Sequence, residues 1–226
     1  MSDDDPLVPK DATEFTLRSN SAAVIDFDDD VDFDAASRGL VAQHATGQIM
    51  KREHTVWDVS RHDFLRTDDP APATVHPGLW RQGKLNAIHG LFEVGDGVWQ
   101  ARGYDLSNIT FIAGDDGWVI IDPLTSEETA RACLDLADEH LGQRPVTAVI
   151  YTHSHIDHVA GMLGVTTRDA VDAGDVRVIA PEGFLHEAVA ENVIAGPIMG
   201  RRSMYQFGPL LAPGPRGHVD AGLGKT

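Results

Sequence analysis

Two stretches between residues 90 and 122 share one plan: LFEV and VWQARG flank Gly-Asp-Gly, and NITFIAG and WVIID flank Asp-Asp-Gly. Short β-rich arms about an Asp-Gly turn predict two hairpins. The arm WVIID is almost wholly apolar, as in a strand covered on both faces. The period then changes. Ala130, Cys133, Leu134, Ala137 and Leu141 make a single stripe, Thr125 and Glu128 form a capping box, and Gly142 suits a C-terminal cap, so a helix is predicted. PVTAVIYT reads as a buried strand, VRVIAP as another, and FLHEAVAENVI as a further helix. Two hairpins followed by β-α-β-α predict an α/β fold with helices layered on a sheet.

Before residue 76 the periodicity is weak. A helix is predicted over residues 34–43, with Ala35, Ala36, Leu40 and Val41 in apolar spacing, and the stretch ends in the turn-rich TDDPAPAT. The organisation expected is an acidic N-terminal extension, 1–75, and a main domain, 76–226.

Composition narrows the class. The 226 residues are 42% apolar, enough for a core without covalent staples. Cys133 is the single cysteine, which excludes a disulfide framework and a Cys-based zinc site; burial on a helix face is expected for it. No stretch approaches the ~20 apolar residues of a membrane span. The start MSDDDPLVPK lacks the basic and apolar regions of a signal peptide, so a cytoplasmic location is expected. Net charge is −17, and residues 1–34 hold eleven acids against Lys10 and Arg18. That balance argues against nucleic acid or an anionic membrane as partner. The run DFDDDVDFD offers many oxygen ligands but lacks the central Gly and closing Glu of a calcium loop, and reads as a solvated extension.

The chemistry concentrates in YTHSHIDHVAG, residues 151–161, which gathers three histidines and an aspartate at the end of a predicted strand. Open α/β folds place their sites at such carboxyl ends. While the backbone is extended, His153 and His155 point the same way and can grip one ion. Asp157 and His158 are adjacent, and a helical turn at Val159-Ala160-Gly161 re-aims them toward a second position. Imidazoles with a hard carboxylate suit zinc or another first-row divalent ion, not calcium. Two ions ~3.5–4 Å apart activate a water between them and neutralise charge on an ester under attack. Asp157 is the candidate catalytic residue at that water site.

Other residues invite weaker readings. Asp122, at the end of VIID, can orient a ligand histidine or simply serve the turn before Pro123. Arg201 and Arg202 suit an anion such as sulfate, or surface ion pairs. Tyr205 is expected to be buried. Glu182 and Glu191 are read as ordinary helix residues, although either could add a metal ligand. His76, His89, His186 and His218 each stand alone and read as structural. The terminal GLGKT is no phosphate loop, because Val219 occupies the position of the required first glycine.

THSHIDH matches the HxHxDH signature. With HPGLWRQ, LNAIHGLFEV, RGYDLSNITFI, GWVIIDPLTSEETA, VIAPEGF and AENVIAGPIMGRRSMYQFGPL, the chain resembles the alkyl sulfatase branch of the metallo-β-lactamase superfamily. The resemblance runs from about His76 onward. It implies the N-terminal part of an αββα sandwich and a dinuclear zinc site, His153 and His155 on one ion, Asp157 and His158 on the other. It further implies a small-molecule alkyl sulfate substrate, cleaved to alcohol and sulfate, and a homodimer in the full-length form. Relatives carry two metal-binding glutamates, a further histidine, the second half of the sandwich and two more domains after the point where this chain stops. A fragment, with a metallo-β-lactamase-like domain incomplete at the C-terminus, is therefore expected. Another hydrolase of the superfamily, such as a thioesterase or lactonase, and a non-catalytic metal-binding fragment are the alternatives. Pro197 stands where relatives usually carry Asn.

Overall fold

A computed structural model describes residues 10–22 and 29–225, so the SDDD cluster and part of the later acidic run lie outside the described residues. The chain forms two compact units, each assembled from separated stretches. One unit comprises the residues up to Ala36, Arg61–Ile88, and the residues from Ile198 onward. Helix α1 (Glu14–Ser21) is capped by Thr13, and α2 (Val31–Ser37) begins where the Asp29 carboxylate accepts the Val31 N–H at 2.8 Å. In α3 (Pro77–Asn86), His76 is the N-cap and accepts the Gly78 N–H at 3.1 Å. A small core of Leu65, Val75, Trp80 and Val219 holds this unit together.

Polar groups are also buried there. Lys225 donates to Asp220 and to the Gly83 carbonyl, both at 2.7 Å, and is 4% exposed. His218 is buried with Nδ1 on the Phe207 carbonyl at 2.8 Å. His62 is buried too, and its Nε2 has no partner among the described residues. Burial, with the nearby Lys225 and His218 charges, lowers its pKa to about 4.

The second unit, Ser37–Ser60 with His89–Pro197, carries the sheet. A separate hairpin pairs β2 (Gln48–Lys51) with β3 (His54–Asp58), and the main sheet begins with β1 (Leu40–Ala42). Residues 40–42 were expected to be helical. Gly39 instead breaks the chain away from α2: it sits at φ +76°, and any Cβ there would lie 2.1 Å from the Glu93 carbonyl oxygen. The strand that follows pairs antiparallel with β4 (Gly90–Gly95).

The two hairpins form as predicted: β4 with β5 (Val98–Arg102), and β6 (Ile109–Ala113) with β7 (Trp118–Ile121). Helix α4 (Glu127–Leu141) crosses from β7 to β8 (Val146–Ile150), which lies parallel to β7, and β9 (Arg177–Ile179) is parallel to β8. The resulting order is β1-β4-β5-β6-β7-β8-β9, a mixed α/β sheet with helices, the predicted class. The α4 stripe Ala130, Cys133, Leu134 and Ala137 is buried with Phe111, Trp118, Ile120 and Val149 in one core. Burial raises the Cys133 thiol well above its usual pKa, so this cysteine is a packing residue.

The helix cap differs from expectation by one residue. Ser126 Oγ, not Thr125, accepts the Thr129 N–H at 3.1 Å. Thr125 is occupied elsewhere, donating its hydroxyl to Asp105 at 2.6 Å.

Beyond β8 a short turn leads to α5 (Met162–Val165) and α6 (Arg168–Asp172), and after β9 come α7 (Phe184–Val189), a π-helical turn over Ala190–Ile194, and α8 (Gly196–Phe207). Pro197 sits in the first turn of α8, where a missing N–H costs nothing. No helix among the described residues is long and apolar enough to cross a membrane.

Candidate metal centre

The first histidine of the cluster, His153, stands two residues beyond Tyr151, whose N–H still reaches the Ile179 carbonyl at 2.9 Å. Thr152 then leaves the sheet and binds Asp122 twice: its N–H reaches Oδ1 at 2.8 Å and its hydroxyl reaches Oδ2 at 2.7 Å. Asp122 follows the neighbouring parallel strand β7. Its own backbone is left-handed at φ +56°, as is Leu124 at φ +66°. Strained non-glycine backbone of this kind survives only where the surroundings impose it, and it gathers at functional sites.

The turn after the cluster is held by close packing. Residues Ile156–His158 form one 3₁₀ turn rather than the α-turn expected at 159–161. Gly161 N–H then donates to the Leu124 carbonyl at 2.9 Å, and a Cβ at Gly161 would meet the Pro123 and Ser126 carbonyl oxygens at 2.1 and 2.5 Å. At Gly164 it would meet the Glu127 carbonyl at 2.2 Å. The two glycines let α5 lie directly on the start of α4, and that contact fixes where the loop ends.

From the other side, Asp105 anchors the loop 103–108. Its buried carboxylate accepts from Thr125 N–H, Thr125 Oγ1 and Thr129 Oγ1 at 3.1, 2.6 and 2.5 Å. Burial raises its pKa, and these hydrogen bonds work against the rise. The same loop carries Ser107, whose hydroxyl donates to the Asp157 carbonyl. Nothing in the local sequence around Ser107 signals this contact, since its partner lies 50 residues away.

The four ligand candidates are neighbours, but of them only His153 and His158 share one metal-sized group. The His153 and His155 rings meet edge-on with centroids 4.5 Å apart, and the His153 and His158 centroids are 4.2 Å apart. Asp157 Oδ2 lies 3.3 Å from His158 Nε2. His158 Nδ1–H donates to Asp122 Oδ2 at 2.9 Å, so of the two readings of Asp122, the structure realises contact with a candidate ligand histidine. Asp122, His153 and His158 each offer one ligand atom, all within 4.8 Å of one another. His155 and Asp157 lie beside this trio but outside it, and His155 Nε2 is 3.1 Å from Glu191 Oε1. Two imidazoles and carboxylates converging at a half-buried edge fit a first-row divalent metal ion. Burial, and then the neighbouring His158 and His155, lower the pKa of His153, which favours the neutral imidazole that ligation needs.

The remaining candidates are dispersed. Arg201 and Arg202 are exposed on α8, and Tyr205, expected to be buried, is 91% exposed. Glu182 is exposed, and His186 pairs with Glu187 at the surface. His89 is buried against the Tyr104 ring.

A sheet of this order with HxHxDH at the end of an inner parallel strand defines a class. The metallo-beta-lactamase superfamily profile matches residues 102–219, and the chain belongs to that superfamily. Within it, the chain is 48% identical over 220 residues to a linear primary-alkylsulfatase of Pseudomonas sp., covering 96% of this chain and 33% of that protein. It is 46% identical to an alkyl/aryl-sulfatase of Saccharomyces cerevisiae, covering 96% of this chain and 34% of that protein. The solved structure of a stereoselective inverting sec-alkylsulfatase from Pseudomonas sp. matches with a TM-score of 0.89 and 46% identity, over 98% of this chain and 35% of that one. The chain thus spans about a third of the length of the relatives it matches.

Proposed function

We propose that this chain carries the metal-binding segment of a zinc-dependent alkyl sulfatase, which hydrolyses alkyl sulfate esters to alcohol and inorganic sulfate. The grouping of His153 and His158 with Asp122, with His155 and Asp157 adjacent, carries the reading, and identity of 46–48% to alkylsulfatases supports the substrate class. In this reading His153 and His155 hold one zinc, and Asp157 and His158 the other. When bound, zinc supplies Lewis acidity toward sulfate oxygens and makes a nucleophile available at neutral pH.

The chain's own residues do the rest. Asp122 takes the proton on His158 Nδ1 and leaves Nε2 as the nitrogen with a free lone pair. Through Thr152, the same carboxylate fixes the start of the loop, so His153 leaves the strand in one direction. Ser107 holds the Asp157 main chain from the opposite side. These contacts orient the ligands before any substrate arrives, which is how supporting residues raise metal affinity.

The test measures zinc per folded chain after dialysis, then compares sulfate release from dodecyl sulfate by the extended, zinc-loaded protein with its cleavage of a lactone and of a thioester. Zinc uptake with sulfate release is expected. Cleavage of the other esters without sulfate release assigns the site to a different hydrolase of the superfamily. Zinc uptake with no turnover at all overturns the sulfatase reading in favour of a binding module.

A further inference from the structure

We infer that Glu191 is a positioning residue for His155, and that the π-helical turn Ala190–Ile194 exists to deliver it. The inference rests on the reading of His155 as a metal ligand. By sequence Glu191 is one more polar residue on an amphipathic helix. In the structure its Oε1 lies 3.1 Å from His155 Nε2, and its side chain is 35% exposed on a segment whose neighbours Val193 and Ile194 are 69% and 74% exposed.

Two further contacts tie this segment to the histidine loop. Asn192, beside Glu191, directs Nδ2 to the Ser154 carbonyl at 3.5 Å and to Ala188 at 2.9 Å. Phe184, at the start of α7, stacks on Tyr151 with ring centroids 5.3 Å apart. The helix therefore touches the loop at Tyr151, Ser154 and His155. Spanning Glu191 and Asn192, Ala195 N–H reaches back five residues to the Ala190 carbonyl at 3.0 Å. The widened turn inserts one residue of extra rotation, and such turns are rare outside functional sites.

The chemical consequence follows from the acceptor. A carboxylate only accepts, so a hydrogen bond formed across this 3.1 Å contact commits His155 to Nε2–H and leaves its lone pair on Nδ1. His158, which donates Nδ1–H to Asp122, is held in the opposite tautomer. The two histidines are thus committed to different nitrogens by two acids on different elements.

The experiment uses the ¹⁵N-labelled full chain, Glu191→Ala and Glu191→Gln. Long-range ¹H–¹⁵N spectra at pH 8 without metal read the His155 tautomer, and competition with a chromophoric chelator reads zinc affinity. Wild type and Glu191→Gln, whose amide oxygen still accepts, are expected to hold a single Nε2-protonated form. Glu191→Ala is expected to show the averaged shifts of a free imidazole and to bind zinc about 10–100-fold more weakly. All three should melt together, because an exposed pair contributes little to stability. Identical His155 shifts in wild type and Glu191→Ala overturn the inference. Loss of a whole zinc equivalent with His155 unchanged overturns it too, by making Glu191 a ligand. If wild type takes up no zinc, the metal reading fails, while the His155 shifts still decide whether Glu191 orients the ring.

Discussion

The carboxylate of Asp122 joins the ends of two parallel strands, taking the Thr152 N–H on one oxygen and the Thr152 hydroxyl on the other, at 2.8 and 2.7 Å. It holds His158 as well, from a backbone at φ +56° that asparagine and aspartate tolerate better than other side chains. Asp122→Asn should therefore fold with near-normal stability yet bind zinc about 10–100-fold more weakly, because one acceptor becomes a donor facing His158. Asp122→Ala should also lose about 1–3 kcal/mol, since the Thr152 groups are left unpaired. Urea unfolding and zinc competition on both variants separate the two effects.

Gly164→Ala tests the packing that ends the loop. The added methyl would stand 2.2 Å from the Glu127 carbonyl oxygen, 2.8 Å from the Arg131 nitrogen and 2.9 Å from Ala130 Cβ, none of them a flexible tip. A destabilisation of about 1–3 kcal/mol is expected, seen as a lower urea midpoint at unchanged slope. An unshifted midpoint would mean that α5 can ride away from α4.

His62 gives a pH dependence with a definite sign. Its folded pKa, about 4, lies below the ordinary 6.5, so in acid the unfolded chain binds the proton first. Its contribution is complete above pH 6.5 and is lost as pH falls toward 4, with a slope of at most about 1.4 kcal/mol per pH unit. His62→Leu should flatten the stability profile in that window relative to wild type. Parallel profiles would show that His62 takes up its proton alike in the folded and unfolded chain.

Zinc should stabilise the chain by mass action. At 100 times the dissociation constant the gain is about 2.7 kcal/mol, visible as a higher melting temperature that a chelator reverses. His153 is only partly buried, so His153→Ala should melt like wild type without metal and gain less from zinc. A variant that gained as much as wild type would remove His153 from the ligand set.

Much of the fold was legible because its signals are local. The Asp-Gly turns and apolar arms mark both hairpins, and the stripe on α4 marks its buried face. The errors have local causes as well. Residues 40–42 carry an apolar spacing that fits either state, and the pairing with β4 decides for a strand. Thr125 looks like a cap until Asp105, 20 residues away, takes its hydroxyl. The candidate ligands were visible in a single heptapeptide, and Asp122 was open to the reading that it orients one of them, but Ser107 and the role of Glu191 were not visible. Asp122, Ser107 and Glu191 reach the cluster from 36, 50 and 36 positions away, by routes that only strand order and helix packing define.

The joining of β7 and β8 through Asp122 and Thr152 has a consequence for motion. A loop amide normally exchanges its hydrogen with solvent in brief local openings. The Thr152 amide is bonded across two strands of the core sheet, with α4 covering their crossover. Releasing it requires displacing a carboxylate that also holds the Thr152 hydroxyl and His158. The root of the histidine loop should thus exchange more slowly than an ordinary loop amide.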